Sequence, residues 1–260
     1  MGSRKGMLGG LLLIIGAILL VVALLTSWYS FTITESATVE GQSLSGSVQT
    51  SLYPGSDYKT TTSGYFGGNT TTCPYAGTTS TSGCSPYARN QTGALYSVAE
   101  FLTIGGLVLG LLAGILALMT TGRPGMRKGA MALGILALLL ALVTPMVLLA
   151  GQPAAIKNDE AQYGGHAPTN GSGPDTSFFG SCSGSSCEGG SPAPGVSISG
   201  TWGPSTGWYL SIGAFVVFLL GILIVRGAKG QDAMPAPAPA APADSSMPSN
   251  PPANPPMGSS

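Results

Sequence analysis

The chain has 260 residues, and only 8% of them are charged, against about a quarter in ordinary soluble domains. Its formal net charge is zero, which excludes the basic footprint that a nucleic-acid binder needs to displace counterions. Mean hydropathy is +0.35, and the apolar residues are bunched into long runs, so lipid rather than water is expected to be the main solvent of the folded part.

Four uncharged runs are long enough to cross a hydrocarbon core of about 30 Å: residues 7–25, 101–119, 129–150 and 208–225. Each is expected to be helical, because backbone groups in lipid must be satisfied within the segment. The first run follows Arg4 and Lys5, as a signal peptide would. At 19 residues it exceeds the usual apolar core of such a peptide, so it is read as a retained span. Gly6 stands where a myristoylation motif requires Ser or Thr. Pro145 predicts a kink near one end of the third span.

Basic residues set the orientation. Arg4, Lys5, Arg123, Arg127, Lys128, Arg226 and Lys229 fall at one end of the spans, seven of the ten in the chain. That places both termini in the cytoplasm. The expected organisation is a cytoplasmic N-terminus (1–6), span one (7–25), outer loop one (26–94), span two (95–119) and a cytoplasmic link (120–128). Span three (129–150), outer loop two (151–207), span four (208–225) and a cytoplasmic tail (226–260) follow. N-glycosylation sequons at Asn69, Asn90 and Asn170 all lie in the outer loops, as do the four cysteines, Cys73, Cys84, Cys182 and Cys187.

Loop one begins with Trp28 and Tyr29, an aromatic pair expected at headgroup depth. Phe31 and Ile33 then alternate with threonines. Beyond Glu40-Gly41-Gln42, residues Leu44, Gly46, Val48, Thr50 and Leu52 share one face, with Ser43, Ser45, Ser47, Gln49 and Ser51 on the other. Gly46 predicts a bulge or a close backbone approach. A turn at 54–57 and a threonine-rich return over 58–65 complete an expected meander of about three strands. Four cysteines allow three pairings. Pairing within each loop, Cys73 with Cys84 and Cys182 with Cys187, is the simplest, and residues 196–199 offer one further strand.

Gly106, Gly110 and Gly114 repeat at four-residue spacing on span two. Gly6 with Gly10, and Ala130 with Gly134, do the same on spans one and three. Small residues at this spacing let helices approach closely, either within one bundle or across a self-association face. No charged residue falls inside the four apolar runs, which counts against a transporter or proton relay. Glu100 stands at the outer boundary of span two, as an interfacial carboxylate or a partner for Arg89. His166 is the only histidine and is expected to be solvated, as are Asp159 and Glu160. No cofactor site and no hydrolase, nucleotide or zinc-protease motif is found. After Lys229 a Pro/Ala-rich tail without hydrophobic period is expected to be disordered.

Trp28, the Cys73/Cys84 pair, Arg89 before span two, and Gly64-Tyr65-Phe66 in place of a Gly-Leu-Trp motif together resemble the claudin/PMP22-like four-transmembrane superfamily. The resemblance implies a membrane all-α four-helix bundle with a small extracytoplasmic antiparallel β-sheet domain. It further implies adhesion, barrier formation or modulation of a membrane partner. The long second loop with its own cysteine pair departs from claudins. Tetraspanins lack support, since no Cys-Cys-Gly is present. Two cysteine pairs outside four helices also resemble quinone-linked disulfide-forming enzymes, but these use CxxC, and here the spacings are C-x10-C and C-x4-C. An accessory subunit of a transporter or envelope complex is a further reading. The expected partners are the lipid bilayer and other membrane proteins, including further copies of the chain.

Overall fold

The computed structural model describes residues 2–76, 84, 88–119, 124–162, 173–188 and 194–227. Arg123, His166, Asn170, Lys229 and the Pro/Ala-rich tail from 228 onward lie outside the described residues. In chain order the elements are α1 (Gly2–Leu25), β1 (Tyr29–Val39), β2 (Gln42–Leu52), β3 (Asp57–Gly64), β4 (Asn69–Pro74), α2 (Asn90–Met119), α3 (Pro124–Gln162), β5 (Gly180–Ser183), α4 (Ser185–Glu188), β6 (Val196–Pro204) and α5 (Thr206–Gly227).

Helices α1, α2, α3 and α5 are long and apolar enough to cross a membrane. They form a bundle in which α1 and α3 each pack against both α2 and α5. Their outward faces expose large apolar side chains such as Ile18, Leu112, Leu139 and Leu219, as a lipid-facing surface requires. Polar groups inside the spans satisfy themselves locally: Thr103 donates to the Ala99 carbonyl and Thr144 to that of Leu140. Helices α2 and α3 exceed the expected spans. At 30 and 39 residues they are about 45 and 58 Å long, well over the hydrocarbon thickness. The start of α2 at Asn90 and the end of α3 at Gln162 therefore stand clear of the bilayer, as a platform beside the sheet. The helix continues through both Pro145 and Pro153, and the Pro145 carbonyl accepts the Trp208 indole N–H of α5 at 3.1 Å.

Inside the bundle the glycines face other helices of the same chain. A Cβ on Gly110 would lie 2.6 Å from the Phe218 ring of α5, and one on Gly16 of α1 would lie 2.7 Å from it. The ring of Phe218 thus fills a slot cut by two glycines. A Cβ on Gly114 would lie 3.0 Å from the Gly10 carbonyl, and Gly106 faces Leu20 and Leu140. At the end of the bundle where α5 finishes, Arg127 of α3 donates to the carbonyl of Val225 at 2.6 Å, capping the C-terminus of α5 with a cation.

The opposite end carries one six-stranded antiparallel sheet in the order β4-β3-β2-β1-β6-β5. Loop one supplies four strands rather than three, and loop two supplies two rather than one. Strand β1 is central because it pairs with β2 on one side and with β6 on the other, Phe31 lying opposite both Thr50 and Trp202. Glu40 and Gly41, with φ of 52° and 80°, form the two-residue turn between β1 and β2, where left-handed backbone suits the twist of the strands. Gly46 makes no bulge: the register runs through it unbroken, opposite Glu35 and Gly64. A Cβ there would lie 2.5 Å from the Phe66 ring, so the glycine makes room for an aromatic cover. The outward face is a hydroxyl surface, tied across strands by Ser36 with Ser197 at 2.7 Å, Ser47 with Ser63 at 2.7 Å and Thr61 with Thr70 at 3.1 Å.

Candidate functional site

The lower half of the sheet packs onto the helix platform and forms a core of Trp28, Tyr29, Leu52, Tyr58, Cys73, Tyr75, Tyr96, Phe178 and Trp202. Trp28 and Tyr29 are wholly buried there, packed against the protein rather than exposed. The strands between the helices fold back over the pair and enclose them in this core. Trp28 joins three elements. Its indole N–H donates to the Ala23 carbonyl at the end of α1 at 2.6 Å, its backbone N–H to Leu52, and its carbonyl accepts the Ser205 N–H. Gly207, at the start of α5, packs under the indole, where a Cβ would lie 2.6 Å from Nε1.

Cys73, fully buried on β4, is bridged to Cys84, and Cys182 on β5 is bridged to Cys187. Next to the first bridge runs a column of tyrosines, with ring centroids 5.5 Å apart for Tyr58 and Tyr75 and 5.7 Å for Tyr75 and Tyr96. The Tyr75 hydroxyl donates to the carbonyl of Tyr53 and accepts its N–H, which pins the turn after β2. Arg89 lies over the rings of Tyr58 and Phe31, at 5.0 and 5.5 Å from their centroids. Glu100 sits instead beneath the β2–β3 turn, with Oε2 3.9 Å from where a Cβ on Gly55 would stand.

The expected solvated pair Asp159-Glu160 is overturned for Asp159. It is buried, and its carboxylate accepts the backbone N–H of Gln91 at 2.7 Å and of Thr92 at 2.9 Å. A carboxylate from α3 thus caps the N-terminus of α2, taking two of the N–H groups that no helix can satisfy internally. Glu160, one residue on, is half-buried and turns toward a cavity of about 200 Å³ under the β1–β6 half of the sheet. Arg89, Asp175, Phe31, Trp202 and the Cys182–Cys187 bridge also line it. Glu160 lies beyond the apolar run of α3, outside the membrane. Burial, and then the negative charge of Asp175, push its carboxyl above the usual range, while Arg89 opposes this. Burial, and then Asp175, likewise push the Tyr29 hydroxyl upward.

The structure therefore brings together Trp28, the Cys73–Cys84 bridge and Arg89 at the platform. It leaves Gly64-Tyr65-Phe66 apart, at the far end of the sheet, six residues along β1 from Tyr29. There the Tyr65 hydroxyl donates to Glu35 at 2.7 Å and its ring packs on Phe66 at 4.1 Å. Asn69 is exposed at the start of edge strand β4, and Asn90 is exposed at the start of α2, though Thr92 of its sequon is buried. The cavity residues Glu160 and Asp175 were not singled out as a site from the sequence. Nothing short of the strand order places them beside Arg89, more than 70 residues away.

No protein-family model matches the chain, and no curated protein matches it. The architecture itself defines the class: a multi-pass helical membrane protein of claudin-like design, with four spanning helices and an unclosed antiparallel sheet stabilised by disulfides. That likeness is one of general topology.

Proposed function

We propose that the protein is a non-enzymatic surface protein, with both termini in the cytoplasm and the sheet outside, that acts by adhesion through the sheet. The observation behind this reading is the upper half of the sheet. Beyond the platform its inner face exposes Ile33, Val39, Leu44, Tyr65 and Phe66, each more than a third accessible. Apolar residues grouped on one face outside the membrane are characteristic of a contact surface. The basic residues at the other end, Arg4, Lys5, Arg127, Lys128 and Arg226, support the orientation. Of the two described sequons, Asn69 is the better placed for a glycan, and the exposed helix faces leave room for lateral partners.

Vesicles bearing the full-length protein test the adhesion reading. They are expected to cluster, and a Leu44→Ser/Phe66→Ser variant is expected to abolish clustering. Wild-type vesicles that stay dispersed would sink the reading. An N- or C-terminal tag labelled from outside intact cells would sink the orientation.

A thiol oxidoreductase is the second reading, favoured only by the Cys182–Cys187 bridge lining a cavity. Thiol trapping in cells separates the two. A structural pair is expected to stay oxidised, whereas a catalytic pair cycles through a reduced form.

A further inference from the structure

The cavity under the β1–β6 half of the sheet holds three charged groups whose balance is incomplete. Arg89 is committed to the rings of Phe31 and Tyr58. Asp175 is only 7% exposed and lines the cavity, where its carboxylate has no hydrogen-bond or ion-pair partner among the described residues but is open to the cavity space. Glu160 shares the cavity with it, so two carboxylates face one guanidinium. Taking a carboxylate out of water without a partner is costly, and buried charges are paired as a rule. Among the described residues the cavity thus has one carboxylate more than it has cations.

The walls say what kind of charge fits. Phe31 and Trp202 line the same space, and the Trp202 indole N–H is already donated to the Ser177 carbonyl at 3.1 Å, which leaves the ring as an apolar wall. Carboxylates beside aromatic rings suit an alkylated or primary ammonium, which takes both ion pairing and cation–π attraction. A hard divalent cation needs six or more oxygen ligands for calcium, or near-octahedral oxygen for magnesium. Two carboxylates among aromatic and aliphatic walls do not supply them. The volume, about 200 Å³, is below that of pockets for drug-sized ligands, so the guest is small or only its head enters.

We propose that this cavity is a binding site for a small organic ammonium group, whose charge is taken by Asp175 and Glu160 and whose carbon skeleton lies against Phe31 and Trp202. Two sources can present such a group. Glu160 lies ten residues beyond the apolar run of α3, about 15 Å along the helix and past the headgroup layer, so a lipid headgroup reaches it only when drawn out of that layer. A free amine from solution would enter by the same opening.

The full-length protein in neutral maltoside micelles provides the test. Ethanolamine and choline are titrated against it calorimetrically at constant ionic strength, with sodium chloride as the blank. Saturable binding is expected, weakened about tenfold or more by Asp175→Asn, as loss of a charged hydrogen-bond acceptor implies. Glu160→Gln, at a half-exposed position that does not threaten folding, is expected to weaken it less, and Glu40→Gln at the β1–β2 turn not at all. Nanodiscs then separate the sources. A higher Tm in phosphatidylethanolamine than in phosphatidylglycerol, lost in Glu160→Gln, assigns the group to lipid, and equal Tm values with binding in micelles assign it to a free amine. No saturable binding of either amine and no lipid effect would overturn the proposal. So would binding that both Asp175→Asn and Glu160→Gln leave unchanged.

Discussion

The carboxylate of Asp159, near the end of α3, accepts the backbone N–H of Thr92 at 2.9 Å, at the start of α2 and 67 residues earlier in the chain. With the Gln91 N–H at 2.7 Å, it makes one side chain the cap of a neighbouring helix, and it ties the tops of two spans together outside the bilayer. Charge-assisted hydrogen bonds of this kind contribute about 1.5–3 kcal/mol each, and an orphaned pair of N–H groups costs a comparable amount. We therefore predict that Asp159→Ala destabilises the folded protein by about 3 kcal/mol and that Asp159→Asn, which keeps one acceptor, costs about half as much. Reversible unfolding in mixed micelles measures both, and equal stability of Ala and wild type would show that the cap is idle.

Phe218 sits between Gly16 and Gly110, where no side chain leaves room for a second methyl. Gly110→Ala is predicted to cost about 1–3 kcal/mol by overpacking. Phe218→Ala is predicted to cost about 3–5 kcal/mol by opening a cavity. Combining Gly110→Ala with Phe218→Leu should cost less than the sum, because the smaller side chain yields the space the methyl needs. Additive losses in a double-mutant cycle would mean that the two residues do not share the slot.

The bridges differ in the length of chain they close: eleven residues apart for Cys73 and Cys84, five for Cys182 and Cys187. In the chain-entropy model they contribute about 3 and about 2 kcal/mol. The Cys73→Ser/Cys84→Ser variant is expected to lose more than that difference suggests, since Cys73 is wholly buried against the tyrosine column and its hydroxyl replacement would be poorly satisfied. Loss of the shorter bridge should leave the sheet intact, as read by protease resistance of loop one.

At the sheet tip the hydrogen bond to Glu35, then burial, then the charge of Glu35 raise the Tyr65 hydroxyl above the ordinary tyrosine range. Its protonated form is the one the fold favours. The stabilisation is thus complete below pH 10, the ordinary tyrosine value, and is lost as pH rises through the folded-state value. Spectrophotometric titration of Tyr65 in the wild type should show a later midpoint than in Glu35→Gln. Coincident midpoints would refute the coupling.

Much of this molecule is legible from residue order alone. The spans follow from four runs with peak hydropathy of 2.4 to 3.0, since a segment in lipid must satisfy its own backbone. The strand faces follow from alternation, so Leu44, Val48 and Leu52 fall on one side of β2 with Gly46 and Thr50. Burial of Trp28 and Tyr29 was not legible, because the same aromatic pair serves equally as a headgroup anchor or as a core, and only the strands folding over them decide which. The reach of α2 and α3 past the membrane was hidden for a similar reason. Residues 151–162 are polar enough to read as loop, and they hold helical form because Ile156 and Asp159 pack against partners from elsewhere in the chain.

By itself, then, the order of residues determined the number of spans, the two-faced strands and the cysteines available for bridging, all of them consequences of local hydropathy and spacing. Tertiary structure alone decided that β6 joins β1, that Asp159 caps α2, and that Arg89, Glu160 and Asp175 share a cavity. Those relations join residues far apart in the chain, and their energy comes from excluding water and pairing charge in a space that exists only once the sheet has closed over the helices.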